Sequence, residues 1–598
     1  MNVLGISGLA NSQLFKREMM PGLSSRQYRL AQGADSAATI IVDGEVIAAA
    51  AQERFSRVKG TYEFPIDAIE YCLQAAGLTI SDIDYVAHNF NYEPYAGFFA
   101  RDPYLSRQYD RVYSRKALLQ LLADAYPAVE WPDRVIQVPH HLAHAASAFY
   151  LSGFADAAVL VADGIGEFHS TTTLSGSADG LAIIRQIPGL NSIGMLYGLV
   201  TLYLGFFMNF DEYKVMGLAP YGDQARYLEA MRGLVSLETD GVYRTPILSA
   251  NRTTEERETY AGTIAELVRA FGPAREPEGP IDQRHKDIAA ALQQVTEETL
   301  FHVLRQLKAD TDLPALCMAG GVALNCTANA AIQDSGLFDA IFVQPAAGDD
   351  GTSLGAALYA YHDTAARHEG RPPRKSERMG LPLWGPEYPD GLAISESMAE
   401  RFDVASYASD DELTADVAGR LRDGQVVAWF QGRMEFGPRA LGSRSILADP
   451  TDPRMRDRIN AMVKKREAFR PFAPVVTEEG AAEYFQIEPG DESLYAHMLF
   501  VAKVRPAWAA RLPAITHVDG SSRLQTVHAK DSPLLWQLLS AFQDLSGVPI
   551  LLNTSLNVRG QPIVCTPEEA FEVFDSAALD ALVVNRTVLS KRANGDTA

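Results

Sequence analysis

His140 and His144 stand four residues apart in the alanine-rich segment His140–Tyr150 (HHLAHAASAFY), whose composition and spacing predict a helix. Side chains four residues apart on a helix share one face, so both imidazoles can reach the same ion. Such a pair is a common way of offering two nitrogen ligands to a divalent metal. Histidines that are solvated or packed in a core are the alternative interpretation.

Two aspartates extend the metal hypothesis. Asp163 ends a predicted buried strand, Ala157–Asp163, at a glycine corner, and Asp349 lies in a second glycine-flanked corner. Carboxylates at the carboxyl ends of strands converge on the crevice where α/β folds bind ligands. Two histidines with two aspartates would suit Fe(II), Mn or Zn, and the ligand types alone do not choose among these metals. Ordinary turns or helix caps would also explain either aspartate.

A second group of candidate residues is basic. Between Arg433 and Arg470 the chain has ten Lys or Arg and five Asp or Glu, although its net charge is −22. Gly, Pro and Phe are interleaved with these basic residues, and several guanidinium groups lie beside tight turns. Such an arrangement can bind a small, doubly charged anion such as phosphate. A solvated basic face is the alternative interpretation.

A glycine pair marks a third candidate site. Gly320 and Gly321 follow the predicted strand Ala315–Ala319 and precede a predicted helix, Val322–Ala331. Glycines at a strand-to-helix corner let backbone N–H groups approach a phosphate or a ribose. The corner also carries Asn325, and we predict a nucleotide site there.

The elements that must position these residues have an α/β pattern, because predicted strands end in Gly or Asp corners and feed predicted helices. The strand Val3–Ser7 precedes a polar insertion at 8–34 and a hairpin over Asp35–Ala51 that turns at Asp43-Gly44. The other elements predicted from the pattern are helices at Ile66–Ala76 and Asp287–Arg305 and strands at Asp84–His88, Arg134–Val138 and Ala340–Pro345.

Length and composition limit the function classes. A chain of 598 residues is too long for one core and, on length alone, predicts two large lobes or about three to four units. Its acidity argues against broad nucleic-acid binding. The four cysteines are scattered without a CxxC pair, which argues against structural zinc and fits a reducing cytoplasm. The apolar run Ile193–Met208 is shorter than the ~20 residues needed to span a bilayer, so we predict a buried helix and no membrane segment.

Ten segments occur in order along the chain: DSAATIIVDGEVIAAAAQERFSRVKG, HHLAHAASAFY, DGIGE, DEYKVMGLAPYG, AGGVALN, GDDG, FGPRALGSRSIL, KKREAFRPFAP, HVDGSSRLQTV and LLNTSLNVRGQPIV. Together they resemble one family, the O-carbamoyltransferases of the nodulation and antibiotic-biosynthesis type. The resemblance implies an α/β, two-lobed fold. Residues 1–366 would form an ASKHA (actin-like ATPase) lobe with the metal site, 367–394 a linker, and 395–598 a YrdC-like lobe.

The resemblance also implies an activity. The C-terminal lobe would convert carbamoyl phosphate and ATP, with Mg, into a carbamoyl-adenylate. The N-terminal lobe, holding a divalent metal (Fe(II) before Mn or Zn), would pass the carbamoyl group to a hydroxyl of a small-molecule acceptor. Matched motif by motif, the residues are Arg439, Arg444, Lys464, Arg466 and Arg470 for carbamoyl phosphate, Asn557 and Arg559 for the adenylate, His140, His144, Asp163 and Asp349 for the metal, and Lys59 near the transfer site.

One position departs from the family pattern. The family usually has His-Asp where this chain has Ala34-Asp35, and that histidine would be the natural general base. Asp35 or His141 could replace it, and restoring histidine at position 34 should raise the transfer rate. The insertion 8–34 and the aromatic stretch 92–132 are predicted either to line the acceptor site or to form homodimer contacts, and packing in a core is the more common use of such aromatic residues.

Other activities remain open at the level of sequence. Threonylcarbamoyl transfer to tRNA would need a basic face, which a chain of net charge −22 does not obviously offer. Carbamoyl transfer of the hydrogenase-maturation type would be accompanied by zinc-finger cysteines. An ATP-binding ASKHA scaffold without transferase activity would not need the basic residues at 433–470.

Overall fold

The computed structural model describes residues 1–365, 378–464, 467, 469, 470 and 472–592. Two compact units divide the chain. The first contains Met1–Ser56 and Gly60–Met379, and the second contains Arg57–Lys59 and Gly380–Ala598. The division after Met379 falls within the predicted linker 367–394, of which residues 367–377 lie outside the described residues.

The first sheet of the first unit consists of β1 (Asn2–Ser7), β2 (Ala37–Val42), β3 (Glu45–Ala51), β4 (Tyr85–His88) and β5 (Val135–Gln137). Its order is β3-β2-β1-β4-β5. The first three strands are antiparallel, whereas β4 and β5 run parallel to β1. The predicted hairpin with its turn at Asp43-Gly44 is confirmed, and apolar side chains of this sheet pack in one core against the helix Ile66–Ala76.

A second sheet repeats that topology. Its strands are β6 (Ala157–Ala162), β7 (His169–Ser177), β8 (Gly180–Pro188), β11 (Ala315–Ala319) and β12 (Ala340–Val343); the two-residue strands β9 (Ser236–Leu237) and β10 (Tyr243–Arg244) pair separately. The order is β12-β11-β6-β7-β8, with β6, β7 and β8 antiparallel and β11 and β12 parallel to β6. Two successive sheets with the same strand order and directions are the duplicated arrangement that the actin-like resemblance implies.

Helices connect the strands of the first unit. They are Ser12–Met19, Ser25–Tyr28, Glu53–Ser56, Ile66–Ala76, Ala96–Phe99, Pro103–Gln108, Arg115–Ala125, His140–Phe149, Ile193–Tyr203, Glu212–Leu218, Leu228–Arg232, Thr254–Thr259, Ala261–Phe271, Gln283–Thr311, Cys326–Asp334 and Gly351–Tyr359. Among the described residues no helix is both long and apolar enough to cross a membrane. The apolar run at 193–208 contains the buried helix Ile193–Tyr203, as predicted.

The prediction of one continuous helix over Val322–Ala331 is wrong. A short 3-10 turn at Gly321–Leu324 is followed by a separate helix, Cys326–Asp334. The break lies at Asn325, whose ψ of 87° is not helical and whose side chain accepts a hydrogen bond from Ala328 N. Asn325 therefore starts the second helix as an N-cap instead of lying within one helix.

The aromatic stretch that follows β4 packs mainly as core. Phe90, Tyr92 and Phe99 are buried together with Leu9 and Phe15 from the N-terminal insertion. The insertion thus shares a core with the aromatic stretch.

The second unit is built on a mixed sheet whose order is β13-β23-β22-β14-β15-β21-β16-β20, with β17-β18-β19 as a separate small sheet. Its strands are β13 (Phe402–Ser406), β14 (Val427–Phe430), β15 (Arg444–Ala448), β16 (Ala473–Thr477), β17 (Phe485–Gln486), β18 (Val501–Val504), β19 (Ser521–Arg523), β20 (Gln525–Val527), β21 (Ile550–Ser555), β22 (Ala581–Val584) and β23 (Thr587–Lys591). Its helices are Glu396–Arg401, Asp410–Arg422, Met455–Ile459, Ala481–Tyr484, Pro506–Ala509, Pro533–Ser546 and Pro567–Ser576. Together with the first unit, this confirms the predicted α/β, two-lobed fold class.

Candidate metal centre and neighbouring sites

The structure brings His140, His144, Asp163 and Asp349 together, with one ligand atom of each lying within 4.8 Å of the others. His140 Nε2 lies 3.1 Å from His144 Nε2 and 3.5 Å from both Asp163 Oδ2 and Asp349 Oδ1. His144 Nε2 lies 3.6 Å from Asp349 Oδ1. Both histidine rings are fully buried, whereas the Asp349 side chain is 27% exposed, so the four ligand atoms converge in a site that is open to solvent on the Asp349 side.

Local sequence explains where the two imidazoles point. The helix His140–Phe149 begins directly after Pro139, which places His140 in its first turn and His144 one turn later on the same face. The Asn89 carbonyl lies 3.3 Å from His140 Nδ1, so that nitrogen can donate a proton to it and leave the Nε2 lone pair facing the carboxylates. The Phe90 ring stacks on His140 with centroids 4.4 Å apart and fixes the plane of the imidazole.

Asp163 is held by the glycine corner. Gly321 N donates a 3.0 Å hydrogen bond to Asp163 Oδ1. Gly320 has φ of +92°, and a Cβ there would lie 2.3 Å from the Ala162 carbonyl oxygen. The corner therefore requires glycine at position 320, and in this structure the N–H of Gly321 contacts the candidate metal ligand Asp163.

The electrostatics of the cluster favour a cation. Burial opposes a positive charge on His140, yet Asp349 and Asp163 raise the pKa of its imidazole well above the usual value. Burial likewise opposes ionisation of Asp163, but the hydrogen bond with His140 and the charge of His144 lower its pKa. Two carboxylates facing two imidazoles match the donor set of Fe(II), Mn or Zn, so these residues fit a divalent metal.

Asn325, predicted to bind nucleotide, is engaged within the protein. It exchanges two hydrogen bonds with Gln293, of 3.0 and 3.1 Å, and also caps Ala328 N. Gln293 in turn accepts a hydrogen bond from the Tyr197 hydroxyl at 3.2 Å. These contacts explain the position of Asn325 without a ligand, and its nucleotide role stays a prediction.

Asp35 and its neighbour Ala34 lie in the part of the first unit that contains Tyr62. Asp35 adopts φ of 58°, in the left-handed region, and Ala34 is buried in a small cluster with Ala31 and Tyr62. Burial raises the pKa of Tyr62, and the charges of Asp35 and Asp349 add to this effect. Asp35 and the metal ligand Asp349 are therefore both close enough to act on the same hydroxyl.

Lys59 lies in the short segment Arg57–Lys59 that groups with the second unit. Arg57 anchors this segment, because its guanidinium donates to the Ile563 carbonyl at 2.8 Å and lies 3.3 Å from Glu569 Oε2. Lys59 itself is half-buried.

The predicted anion-binding residues of the second unit differ in their surroundings. Arg444 is fully buried, lies 3.6 Å above the Phe430 ring, and donates to carbonyls of Gln431, Gly432, Ser443 and Pro386. The terminal nitrogens of Arg444 therefore already donate to backbone carbonyls. This geometry does not favour a direct contact of Arg444 with phosphate, and that role stays a prediction.

The other predicted anion-binding residues that the structure describes are less buried than Arg444. Arg470 is half-buried with its guanidinium 3.5 Å from Glu467 Oε2, and Arg439 is half-buried as well. Arg466 and the side chain of Lys464 lie outside the described residues.

Asn557 and Arg559 follow β21. Asn557 accepts a 2.8 Å hydrogen bond from Ser555 and donates one of 2.7 Å to the Gln561 carbonyl, whereas Arg559 is exposed. The side chain of Asn557 thus fixes the loop from which Arg559 projects.

Two residues near the metal cluster were not predicted. Glu167 is buried and its Oε1 accepts hydrogen bonds from His140 N and Asn91 N, at 2.9 and 2.8 Å. Gln32 donates from Nε2 to the Ile165 and Gly166 carbonyls at 2.9 and 2.6 Å. Glu167 belongs to the recognised motif DGIGE and could have been found there, whereas no sequence signal links Gln32 with residues 165–166.

Comparisons with known proteins cover most of the chain. A family model described as "Carbamoyltransferase N-terminus" matches residues 31–358, and one described as "Carbamoyltransferase C-terminus" matches residues 418–591. An uncharacterized protein of Synechocystis sp. is 39% identical, with 94% of this chain and 95% of that protein covered. Nodulation protein NolNO of Sinorhizobium fredii is 40% identical, with 93% and 79% covered. The 3'-hydroxymethylcephem-O-carbamoyltransferase of Amycolatopsis lactamdurans is 33% identical, with 63% and 64% covered.

Proposed function

Because the chain belongs to the carbamoyltransferase family, we propose that it is an ATP-dependent enzyme that transfers a carbamoyl group to a hydroxyl of a small molecule. The observation that carries this proposal is the convergence of His140, His144, Asp163 and Asp349 in the first unit. The similarity to a named O-carbamoyltransferase supports a hydroxyl as the acceptor group. Transfer to tRNA and a non-catalytic scaffold have no specific observation in their favour.

The first half-reaction is assigned to the second unit. In this step carbamoyl phosphate, water and MgATP are converted into carbamoyl-adenylate, inorganic phosphate and pyrophosphate. Arg439, Lys464, Arg466 and Arg470 would bind the departing phosphate, because fixed guanidinium and ammonium groups stabilise its charge without reorganising. Asn557 and Arg559 would hold the adenylate.

The second half-reaction is assigned to the first unit. The acceptor oxygen forms a bond to the carbamoyl carbon, the bond from that carbon to the adenylate oxygen breaks, and AMP leaves. Asp35 is the proposed base for the hydroxyl proton, because it follows Ala34 at the position where the family usually has His-Asp, and a carboxylate can accept a proton. Lys59, which groups with the second unit, is proposed to act in transfer because the resemblance to the family implies it.

A divalent metal bound by the four ligands would polarise the carbonyl or lower the pKa of the acceptor hydroxyl. The surrounding protein fixes two of these ligands, through Phe90 stacked on His140 and through Gly321 N on Asp163. Gly320, Gly321 and Asn325 are proposed to bind nucleotide in this unit.

Pyrophosphate release tests the proposal. Wild-type protein with MgATP should release pyrophosphate only when carbamoyl phosphate is present, together with inorganic phosphate in equal amount. Acetyl phosphate serves as the control anion, because it has the same phosphate but lacks the carbamoyl nitrogen. Pyrophosphate that appears at the same rate without carbamoyl phosphate would contradict the proposal.

A further inference from the structure

Arg439 lies near the tip of a loop of the second unit, residues 436–443, which we call the Arg439 loop. Pro438 is exposed and Arg439 is half-buried, whereas the other residues of the loop are buried. Gly437 and Gly442 have φ of +119° and +116°, a region of backbone conformation that favours glycine. The place of the Arg439 guanidinium therefore depends on the contacts that hold this loop in shape.

The carboxylate of Glu435 holds the second half of the loop. Glu435 is 4% exposed and directly precedes the loop. Its Oε1 accepts hydrogen bonds of 2.7, 2.7 and 3.3 Å from backbone N–H groups, those of Leu441, Ser443 and Arg444. Hydrogen bonds to a carboxylate are about twice as strong as those to a neutral acceptor. One side chain thus joins the start of the loop to three amides beyond Arg439.

Two buried amide side chains hold carbonyl groups of the same loop. Gln525 of β20 donates from Nε2 to the Leu441 carbonyl at 2.7 Å. Asn553 of β21 donates from Nδ2 to the Ala440 carbonyl at 3.2 Å and to Gln525 Oε1 at 2.7 Å, so the two amides orient one another. These contacts attach the loop to two strands of the eight-stranded sheet.

The backbone on either side of Glu435 is fixed as well. Met434 N donates to the Pro386 carbonyl at 3.0 Å, and Phe436 N donates to the Pro382 carbonyl at 2.8 Å. Because both neighbours of Glu435 are held, its carboxylate is a fixed support for the loop.

We propose that Glu435 is a positioning residue for anion binding, whose carboxylate holds the Arg439 loop so that the Arg439 guanidinium is in place before carbamoyl phosphate binds. The proposal rests on the carbamoyl transfer proposed above and adds a residue that builds its first site. A loop that is ordered before binding loses less conformational entropy when the anion arrives, so the affinity is higher. Glu435 acts through Arg439 and does not contact the anion, because a carboxylate repels a phosphate.

Binding of inorganic phosphate, measured by isothermal titration calorimetry, tests the proposal without catalysis. Glu435→Leu removes the acceptor of three N–H groups and should weaken phosphate binding about tenfold. Glu435→Gln keeps a carbonyl oxygen for these N–H groups and should restore most of the lost affinity. Asp449→Leu is the matched control, because Asp449 is a buried carboxylate beyond the other end of β15 that accepts from Thr451 N at 2.8 Å. This control should lower stability and leave the affinity for phosphate unchanged.

A double substitution separates positioning from a general effect on folding. In protein that already carries Arg439→Ala, adding Glu435→Leu should not weaken phosphate binding further, because the two residues act as one unit. Gln525→Leu, which releases the Leu441 carbonyl, should give the same result and replaces Glu435→Leu if that variant does not fold.

An equal loss of affinity in both backgrounds, or wild-type protein that binds no phosphate, would overturn the proposal. Pyrophosphate release that depends on carbamoyl phosphate is measured on the same preparations. Its absence from wild-type protein that binds phosphate would contradict carbamoyl transfer and leave the role of Glu435 in phosphate binding standing, so the two failures are distinguishable.

Discussion

The Nε2 atoms of His140 and His144 lie 3.1 Å apart in the interior of the first unit, and neither ring is exposed. Two ring nitrogens at this distance must share either a proton or a cation, since two lone pairs facing one another repel. Asp163 and Asp349 place two carboxylates at 3.5 Å from His140 Nε2. Their negative charge favours a cation at the point where the four side chains meet.

His144→Ala should weaken divalent metal binding by about 100-fold or more, because loss of a ligand exceeds the about 10–100-fold effect of losing a residue that only orients a ligand. Metal content after dialysis and titration with Fe(II) and Mn measure this. His302→Ala is the control, because His302 contacts the Val242 carbonyl in another part of the unit. Equal metal binding by His144→Ala and wild type would contradict the metal centre.

Gln32→Ala should weaken metal binding about tenfold, because Gln32 holds the Ile165 and Gly166 carbonyls between Asp163 and Glu167. Gln32→Glu should be worse than Gln32→Ala, since a carboxylate would face two carbonyl oxygens. Gln27→Ala is the control in the same insertion, because Gln27 caps only its own short helix. A metal affinity that does not change in Gln32→Glu would show that the loop keeps its position without Gln32.

Features that depend on neighbouring residues could be predicted from the sequence, whereas contacts between distant segments could not. The spacing of His140 and His144 and the strand before Asp163 indicate which side chains share a face, because helix and strand periodicity fix this, whereas the full set with Asp349 also depends on the resemblance to the family. The break at Asn325 was missed because a capping side chain competes with helix continuity. The contact of Gln32 with Ile165 and the contacts of Arg444 with backbone carbonyls could not be predicted. They include residues distant in the sequence, and no helix or strand periodicity links those residues.

The stability of the first unit should depend on the ionisation of Glu212. Burial raises the pKa of Glu212 from 4.5 to about 7. The folded chain therefore keeps this proton where the unfolded chain loses it, so the stabilising contribution is complete below about pH 4.5 and is lost as pH rises through 7.

Glu212→Gln should remove this pH dependence and raise stability at pH 8 by about 2 kcal/mol, while changing little at pH 4.5. Thermal unfolding of the two proteins at both pH values measures the difference. The exposed Glu130→Gln serves as the control. An equal change in melting temperature at both pH values would show that folding does not raise the pKa of Glu212.

Arg444→Met should lower the stability of the second unit by about 3 kcal/mol or more, because four backbone carbonyls lose their donor in a buried site. The stability of Arg444→Lys should lie between that of Arg444→Met and that of the wild type, since an ammonium group cannot reproduce the planar fork of the guanidinium group. Arg454→Met is the control, with a side chain that is 88% exposed, and should change stability by less than about 0.5 kcal/mol. A fully stable Arg444→Lys that no longer releases pyrophosphate would instead support direct anion binding.

The division of chemistry between the units is tested most directly by measuring pyrophosphate release and metal content in Arg470→Ala and His144→Ala side by side. Arg470→Ala should lose pyrophosphate release that depends on carbamoyl phosphate and keep its metal. His144→Ala should lose its metal and keep that release. Loss of both properties in both variants, or no such release by the wild type with metal and MgATP present, would contradict a two-site carbamoyltransferase.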